Sequence, residues 1–248
     1  MPASRLLGVR VKPISPSEPI TDLKRVPIQE CGEDLVDVLS LGAPIVLDRP
    51  RFHYRRETLL RRRVAEDLAA AAARLPAGYV LGVVEGWRAP HIQRRMYQGV
   101  WKFFQEKHPD WSETKLRRVV NRYTAPYDSP RVPPPHSTGG AVDLILLKPD
   151  GEYHDHSTPY EQFNAAGFAF NAPGLSDEAR RTRDVLAEAL EPTVLTNYPS
   201  EYWHWSFGDQ GWAYRGGFSA ALYGPVVPPG WTPAEEDLVD EPLRLIGT

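Results

Sequence analysis

Two short segments of the chain carry residue types that bind metal ions. His136 and Asp143 lie close together in sequence, and His204 follows much later, with Glu201 three positions before it. Two imidazoles and one carboxylate form a ligand set suited to zinc, with a fourth position left for water. A further carboxylate beside such a site can carry the proton in metal-assisted hydrolysis. This chemistry requires a fold that brings the four residues together.

Asp143 lies in a predicted buried strand, Ala141-Val-Asp-Leu-Ile-Leu-Leu147. A carboxylate there is costly unless it is paired, hydrogen-bonded or bound to metal. The alternative is a structural aspartate that holds a backbone turn or an arginine. His136 precedes the strand, after Pro133-Pro-Pro135 and before Gly139-Gly140. Because prolines stiffen the approach and glycines permit a tight turn, His136 can fold back beside Asp143.

Glu201 and His204 are embedded in aromatic residues, which favour a strand. In a regular strand, residues three apart point to opposite faces. The two side chains therefore share a site only if the strand begins irregularly near Pro199-Ser200, or if one of them reaches around the metal. The alternative is an aromatic core strand whose histidine is buried and satisfied and whose glutamate caps a surface end. The aromatic residues are Tyr202, Trp203, Trp205 and Phe207.

The order and spacing of these motifs resemble the D-alanyl-D-alanine dipeptidases. These are zinc peptidases related to the D-Ala-D-Ala carboxypeptidases and to the hedgehog amino-terminal domain. The similarity extends over about residues 28–214 of this chain. The motifs that carry it are His136 with Asp143, Glu201 with His204, and the upstream segment Glu85-Gly-Trp-Arg88.

The resemblance implies a role for each of these side chains. His136, Asp143 and His204 would bind one zinc ion per chain. Glu201 would be the catalytic base and then the acid. Arg88 would face the oxyanion that develops during hydrolysis, where preorganised charge stabilises the transition state.

Two positions depart from the usual family pattern. The family has Met-Gly and then an aspartate after the strand that bears the metal-binding aspartate. This chain reads His154-Asp-His-Ser-Thr-Pro-Tyr-Glu161 there. Glu161 stands where the family's aspartate contacts the substrate amine, so the resemblance implies that Glu161 binds substrate and that substrate choice is affected. The family often has Trp-Trp-His where this chain has Tyr202-Trp203-His204, and we expect only a repacked aromatic neighbour.

Three of these polar residues also have simpler interpretations. Most arginines that follow a strand pair with an acid, and Glu85 stands three positions before Arg88. His154 and His156 could bind metal on one strand face, but no third ligand is apparent nearby. We therefore interpret the two histidines as part of a polar turn.

The composition excludes several other classes of protein. The net charge of the 248 residues is -3, which gives no electrostatic case for nucleic-acid binding. No apolar stretch approaches the roughly 20 residues of a membrane span. Arg5, Arg10 and Lys12 interrupt the first residues, so no signal-peptide hydrophobic region is predicted. We expect a cytoplasmic protein without nucleic-acid or membrane partners, and the sequence does not define its oligomeric state.

Cys31 is the single cysteine of the chain. It excludes an internal disulfide and a zinc site made of several thiolates. Free cysteines are among the most buried residue types, so we expect Cys31 to be a buried and unreactive thiol.

The hydrophobic pattern predicts an α+β fold with a mainly antiparallel sheet flanked by helices, because strands and helices occur in segregated runs. This agrees with the hedgehog-like and DD-peptidase-like fold that the resemblance implies. Arg61-Arg62-Arg63 is followed by Glu66 and Asp67, which predicts a solvated helix face. The predicted helices are 57–74, 90–107, 113–122 and 177–190; the strands are 35–39, 79–85, 140–147, 193–197 and a hairpin of 202–207 with 211–214.

The segments outside these elements are predicted to be irregular or capped turns. We expect one zinc peptidase domain over residues 1–248, with an irregular N-terminal segment of about 1–30 and an acidic, proline-rich tail of about 224–248. Asp110-Trp-Ser-Glu113 and Thr232-Pro-Ala-Glu235 predict capping boxes at helix starts.

The sequence thus predicts a zinc-dependent dipeptidase that hydrolyses short peptides, with D-Ala-D-Ala as the leading substrate by resemblance. One alternative is a peptidoglycan D,D- or L,D-carboxypeptidase or endopeptidase, which needs an open groove and usually export. A zinc-stabilised binding module without a reaction is the alternative from another class. The presence of both Glu201 and Arg88 favours an enzyme, although a fold can outlast its chemistry.

Overall fold

The structure, a computed structural model, describes residues 18–49, 52–157 and 165–244. Its strands are β1 (Leu35–Asp37), β2 (Ile45–Leu47), β3 (Leu59–Arg61), β4 (Val80–Glu85), β5 (Ala141–Leu147), β6 (Thr196–Asn197) and β7 (His204–Ser206). The helices are α1 (Ile20–Leu23), α2 (Arg62–Ala72), α3 (Pro90–Lys107), α4 (Glu113–Val120), α5 (Ala165–Phe168), α6 (Asp177–Leu190) and α7 (Gln210–Gly216).

A five-stranded sheet with the order β2-β4-β5-β7-β6 forms the centre of the fold. Strands β2 and β4 are parallel, and the other three neighbouring pairs are antiparallel. Strands β1 and β3 form a separate antiparallel pair. The prediction of an α+β fold with a mainly antiparallel sheet is confirmed.

Strand β5 is buried along its whole length because both faces of the sheet are covered. Val142, Leu144 and Leu146 pack into a core that includes buried residues of α2 and α6. Ile145 and Leu147 belong to a second core on the other face, with aromatic side chains from α5 and from the segment before β7. Because successive residues of a strand point to opposite faces, Asp143 shares the face of Ile145.

Helices α3 and α4 form a third core away from the sheet. The C-terminal segment packs on α3, where the Arg95 guanidinium lies 3.2 Å from Asp237 Oδ1 and the Leu243 side chain is buried. The part of the predicted acidic tail that the structure describes, up to residue 244, therefore contributes to this core. The domain boundaries themselves stay a prediction. Among the described helices, none is both long enough and apolar enough to cross a bilayer.

Several predicted elements match the structure closely, including α3, α6 and β5. The predicted helix at 57–74 begins only at Arg62, because Leu59–Arg61 pairs with β1. Arg61 is only 1% exposed and donates from Nε to Thr138 O over 2.8 Å. The prediction that Arg61 belongs to a solvated helix face was therefore wrong.

The predicted strand at 211–214 was also wrong, because residues Gln210–Gly216 form α7. Asp209 Oδ1 accepts a hydrogen bond from Trp212 N over 2.6 Å and caps this helix. An aspartate at such a position satisfies one of the free N–H groups of the first turn. The residue before the first turn thus decided between helix and hairpin.

The two predicted capping boxes and the cysteine also differ from expectation. Helix α4 is capped by Ser112 rather than Asp110, with Ser112 Oγ accepting from Lys115 N. The turn at Glu235–Asp237 follows Ala234, whose side chain makes no cap. Cys31 is exposed rather than buried, because the segment between α1 and β1 lies at the surface.

Candidate active site

A row of three polar residues crosses the middle of the central sheet. In the register of the strands, Asp143 on β5 pairs with Glu85 on β4 and with His204 on β7. Residues that are directly opposite on antiparallel strands have side chains on the same face and in contact. An irregularity in the β4–β5 register between Val83 and Glu85 brings Glu85 opposite Asp143.

His136 reaches this row from a 3-10 turn, Pro135–Thr138, which ends at Gly139 with φ of 72°. This left-handed backbone is available to glycine at little steric cost. His136 Nδ1 lies 2.9 Å from Gly86 O, and a carbonyl only accepts, so Nδ1 carries the proton. His136 Nε2 lies 3.4 Å from Asp143 Oδ1 and is the nitrogen left for a metal ion.

His136, Asp143 and His204 are all buried, and one ligand atom from each lies within 4.8 Å of the others. His204 Nδ1 is 2.9 Å from Asp143 Oδ1, and the two imidazole rings have centroids 5.0 Å apart. The three side chains can hold a metal ion, and their nitrogen and oxygen donors are those that zinc accepts.

The pKa values of the three side chains are shifted in different directions. Burial opposes the charged form of Asp143, but the two histidines hold the pKa of this carboxyl well below its usual range. Burial lowers the pKa of His136, and the Arg88 charge adds to that effect. Burial also acts to lower the pKa of His204, but the hydrogen bond and charge of Asp143 outweigh it, so this pKa is raised. A bound cation would compete with the proton that this raised pKa favours on His204.

Glu201 and His204 line the same cavity because β7 begins only at His204. His204 N donates to Glu201 O over 3.2 Å, and Glu201 N donates to Tyr198 O over 2.9 Å. Residues 198–204 thus form turns rather than an extended strand. This is the irregular strand start that Glu201 and His204 require in order to share a site. The Glu201 charge contributes to the raised pKa of His204, as expected for a neighbouring carboxylate.

Arg88 enters the cavity from the loop that follows β4. Its Nη2 lies 3.4 Å from Glu85 Oε2, and its Nη1 donates to Gln93 Oε1 over 2.7 Å. The ion pair with Glu85 therefore exists, and it leaves the guanidinium at the wall of the cavity. Arg88 N also donates to His136 O over 3.1 Å, so the arginine and a predicted ligand are tied together.

Gln93 is a residue of the site that the sequence analysis missed. It lies on the buried face of α3 and is 1% exposed. Its Nε2 donates to Ala125 O over 2.7 Å, which fixes the amide and aims Oε1 at Arg88. A polar residue on the apolar face of an amphipathic helix is the sequence signal for such a role.

The cavity that these residues line has a volume of about 350 Å³, a size typical of sites for small ligands. It is bounded by the loop that follows α4 and by the turns around β7. Glu161, the predicted contact for the substrate amine, lies outside the described residues. Tyr202, the predicted aromatic replacement, packs under the Arg183 guanidinium at 4.0 Å.

His154 and His156 are not part of the metal-binding cluster. His154 stacks on Tyr79 with ring centroids 4.1 Å apart. His156 is buried and stacks on Tyr202 at 5.3 Å. The interpretation of both histidines as part of a polar turn was wrong for His156, which belongs to the packed interior.

The buried His156 is expected to make the protein less stable in acid. Burial, together with the nearby Arg183 charge, lowers the pKa of His156 to about 4. The unfolded histidine titrates near 6.5, so between about pH 6.5 and 4 the unfolded chain binds more protons. The free energy of unfolding should therefore decrease as the pH is lowered from about 6.5 to about 4, by roughly 3 kcal/mol.

Urea denaturation of metal-free protein at pH 7 and pH 4.5 measures this effect. His156→Gln should flatten the dependence on pH, whereas the exposed His53 provides a matched control in His53→Gln. An equal loss of stability in wild type and His156→Gln would show that other groups cause the acid sensitivity.

Taken together, the α+β fold and the buried His-Asp-His cluster beside a carboxylate and an arginine define a metallopeptidase. The sequence pattern of the D-ala-D-ala dipeptidase family matches residues 45–220. The chain belongs to this peptidase family, as the resemblance implied.

Individual proteins similar to this chain include a dipeptidase and a carboxypeptidase. A D-alanyl-D-alanine dipeptidase from Synechocystis sp. is 27% identical over 225 residues, which cover 79% of this chain and 91% of that protein. A similar solved structure is that of the LdcB LD-carboxypeptidase, described for its peptidoglycan recognition. The matched region covers 81% of this chain and 85% of the carboxypeptidase chain. That similarity has a TM-score of 0.35 and 18% sequence identity.

Proposed function

We propose that the protein is a zinc-dependent dipeptidase that hydrolyses short peptides, with D-Ala-D-Ala as the leading substrate. One observation carries the proposal: three buried potential ligands lie within 4.8 Å of one another in a cavity that Glu201 and Arg88 also line. Membership of the D-ala-D-ala dipeptidase family and the Synechocystis relative support the reaction and the substrate class. The cytoplasmic location stays a prediction.

We assign the metal to His136, Asp143 and His204. A zinc ion held there would lower the pKa of a coordinated water toward neutrality and polarise the scissile carbonyl. His136 is oriented for this task because Gly86 O fixes its tautomer. Asp143 is held ionised by the two histidines, as a ligand must be.

Glu201 is assigned the proton transfers. Its carboxylate takes a proton from the attacking water and passes it to the amine that leaves. Arg88 is assigned the stabilisation of the oxyanion, because its guanidinium lines the cavity and is oriented by Glu85 and Gln93. A preorganised donor of this kind contributes roughly 3 kcal/mol to transition-state stabilisation in other enzymes.

The metal assignment predicts about one zinc ion per purified chain, as expected for an open site with three protein ligands. Alanine at His136, Asp143 or His204 should each abolish zinc retention, measured by elemental analysis after dialysis. His154→Ala serves as the control, because His154 lies outside the cluster and its loss should leave the zinc content unchanged. Full zinc in all three ligand variants would refute the site.

Glu161 is proposed to anchor the free ammonium of the dipeptide by a charge-assisted hydrogen bond. Its side chain is one methylene longer than the aspartate usual in the family, so the pocket is shortened or the substrate shifted. We expect N-acetylated dipeptides to be poor substrates, and Glu161→Gln to raise KM more than it lowers kcat. Steady-state kinetics on a free dipeptide and on its N-acetyl form measure both effects. Equal cleavage of the two would exclude the anchor and favour a carboxypeptidase.

A single screen tests the function as a whole. D,D-, L,D- and L,L-dipeptides are incubated with the protein, with and without a chelator, and the released amino acid is measured. Chelator-sensitive cleavage confined to D,D-dipeptides is the expected result. Zinc retention without cleavage of any dipeptide would instead support a zinc-stabilised binding module.

A further inference from the structure

One wall of the cavity carries more acceptor oxygens than the proposed hydrolysis uses. Glu18, Asp209 and Gln210 all line it, next to His204 and Glu201. Asp209 is 2% exposed and Gln210 is 6% exposed. The three residues come from the segment before α1 and from the start of α7, two regions in contact.

Arg215 forms an ion pair with Glu18 but makes no direct bond to Asp209. Its Nη1 pairs with Glu18 Oε1, its Nε donates to Thr196 Oγ1 over 3.3 Å, and its Nη2 donates to Ser206 Oγ over 2.8 Å. The guanidinium is therefore engaged on every side without a direct bond to Asp209. The group of Glu18, Asp209 and Arg215 carries one negative charge in excess when all three are ionised.

Two buried oxygens of this wall have no hydrogen-bond donor among the described residues. Asp209 Oδ1 is used by Trp212 N and by Ser206 Oγ, but Asp209 Oδ2 is unpaired. Gln210 Nε2 donates to the backbone oxygens of three residues, which fixes the amide and leaves Oε1 unpaired. Buried acceptors without donors cost free energy that a donor from a ligand recovers. The three oxygens contacted by Gln210 belong to Leu23, Val26 and Arg131.

The Glu18 carboxylate lies beside the first turn of α7. A Cβ added at Gly211 would lie 2.5 Å from Glu18 Oε2, so the absence of a side chain at position 211 leaves room for the carboxylate in this position. Burial first, and the charge of Asp209 next, raise the pKa of Glu18 against the effect of Arg215. The negative charge of Asp209 thus disfavours ionisation of Glu18.

We propose that Glu18, Asp209 and Gln210 form a subsite for an ammonium group of the substrate. This inference rests on the proposed dipeptidase function. It narrows the substrates of that reaction to peptides with an amine that can reach this wall. An ammonium brings three N–H donors and a single positive charge, which suits the unpaired oxygens and the single excess charge. The adjacent Arg215 cation disfavours a divalent metal ion in the same place.

A binding experiment tests the subsite independently of any reaction. n-Propylammonium chloride is titrated into the full-length protein, with tetramethylammonium and sodium chloride at equal ionic strength as controls. We expect n-propylammonium to bind more tightly than tetramethylammonium, which has no N–H donor. Glu18→Gln and Asp209→Asn should each weaken its binding about tenfold, the size of one charge-assisted hydrogen bond.

These variants retain the structural hydrogen bonds of the wall. Glutamine at position 18 can still accept from Arg215, and asparagine at position 209 can still cap α7. The matched control is Asp22→Asn, which makes the same charge change on α1 at a side chain that is 36% exposed. Equal binding of the two ammonium ions, or equal binding by wild type and both variants, overturns the inference whatever the catalytic activity.

Kinetics then identify the source of the ammonium. D-Ala-D-Ala, D-Lys-D-Ala and the α-N-acetyl form of D-Lys-D-Ala are compared in wild type and Glu18→Gln. A tenfold increase in KM for D-Ala-D-Ala in the variant assigns the subsite to the α-ammonium, in place of the anchor proposed for Glu161. An increase confined to the two lysyl substrates assigns it to a side-chain ammonium. Kinetics unchanged by Glu18→Gln for every substrate overturn the subsite, whereas no cleavage by wild type refutes the proposed function and leaves the binding result to decide.

Discussion

Replacement of Glu201 by glutamine should lower kcat by about 100-fold or more while zinc stays bound, because an amide cannot carry the proton. The effect should be confined to catalysis, since the turn that holds residue 201 uses backbone groups. Glu201 N bonds to Tyr198 O, and Glu201 O accepts from Asn197 Nδ2 over 3.0 Å. These contacts are retained in the variant.

The measurement combines steady-state kinetics on D-Ala-D-Ala with zinc analysis of the same preparation. Glu188→Gln on the exposed face of α6 is the matched control, with the same change of charge far from the cavity. Activity of Glu201→Gln within about tenfold of wild type would identify another group as the base, since such proton carriers are typically worth 100-fold or more.

Replacement of Arg88 by alanine should lower kcat by about 100- to 1,000-fold, the cost of removing one oxyanion donor. Zinc content should change little, because the Arg88 side chain is not a ligand. Arg88→Lys should recover only part of the activity, since a point charge lacks the planar fork that contacts Glu85 and Gln93 at once. Kinetics and melting temperature are measured together for both variants.

The melting temperature separates catalysis from structure. Loss of Arg88 removes its ion pair with the buried Glu85, which lies opposite Asp143, and removal of one partner of a buried ion pair is destabilising. If Arg88→Ala unfolds the protein and no selective loss of kcat is seen, the role of Arg88 is structural, through its ion pair with Glu85. Arg94→Ala, on the same helix as Gln93 but with a 41% exposed side chain, provides the control.

The sequence predicted those parts of the fold that depend on local pattern. The bounds of α3 follow from a proline at its first position and an apolar face, and β5 follows from an apolar run that only Asp143 interrupts. Arg61 shows where local pattern fails. Its neighbours in sequence are exposed arginines, but its own partners are oxygens of Glu30, Thr138 and other residues remote in the chain. Burial of that kind is decided by tertiary structure alone.

The same limit applies to the cavity. Residue types suited to zinc, together with the family resemblance that their order carries, pointed to the metal-binding cluster. Glu18 and Gln93 went unnoticed because their partners Arg215 and Ala125 are distant in sequence. The Asp209 side chain had a local signal, since aspartate before a helix is a common cap, but the aromatic residues around it favoured a strand.

The row formed by Glu85, Asp143 and His204 has a consequence for folding kinetics. Its members come from three strands that are far apart in the chain and meet only when β4, β5 and β7 pair in register. A slip of one residue in β5 would turn Asp143 to the opposite face. Contacts between such distant segments form late and slowly. We therefore expect the complete ligand set to assemble only after these strands have paired, so that uptake of a metal ion would report the native alignment of the sheet.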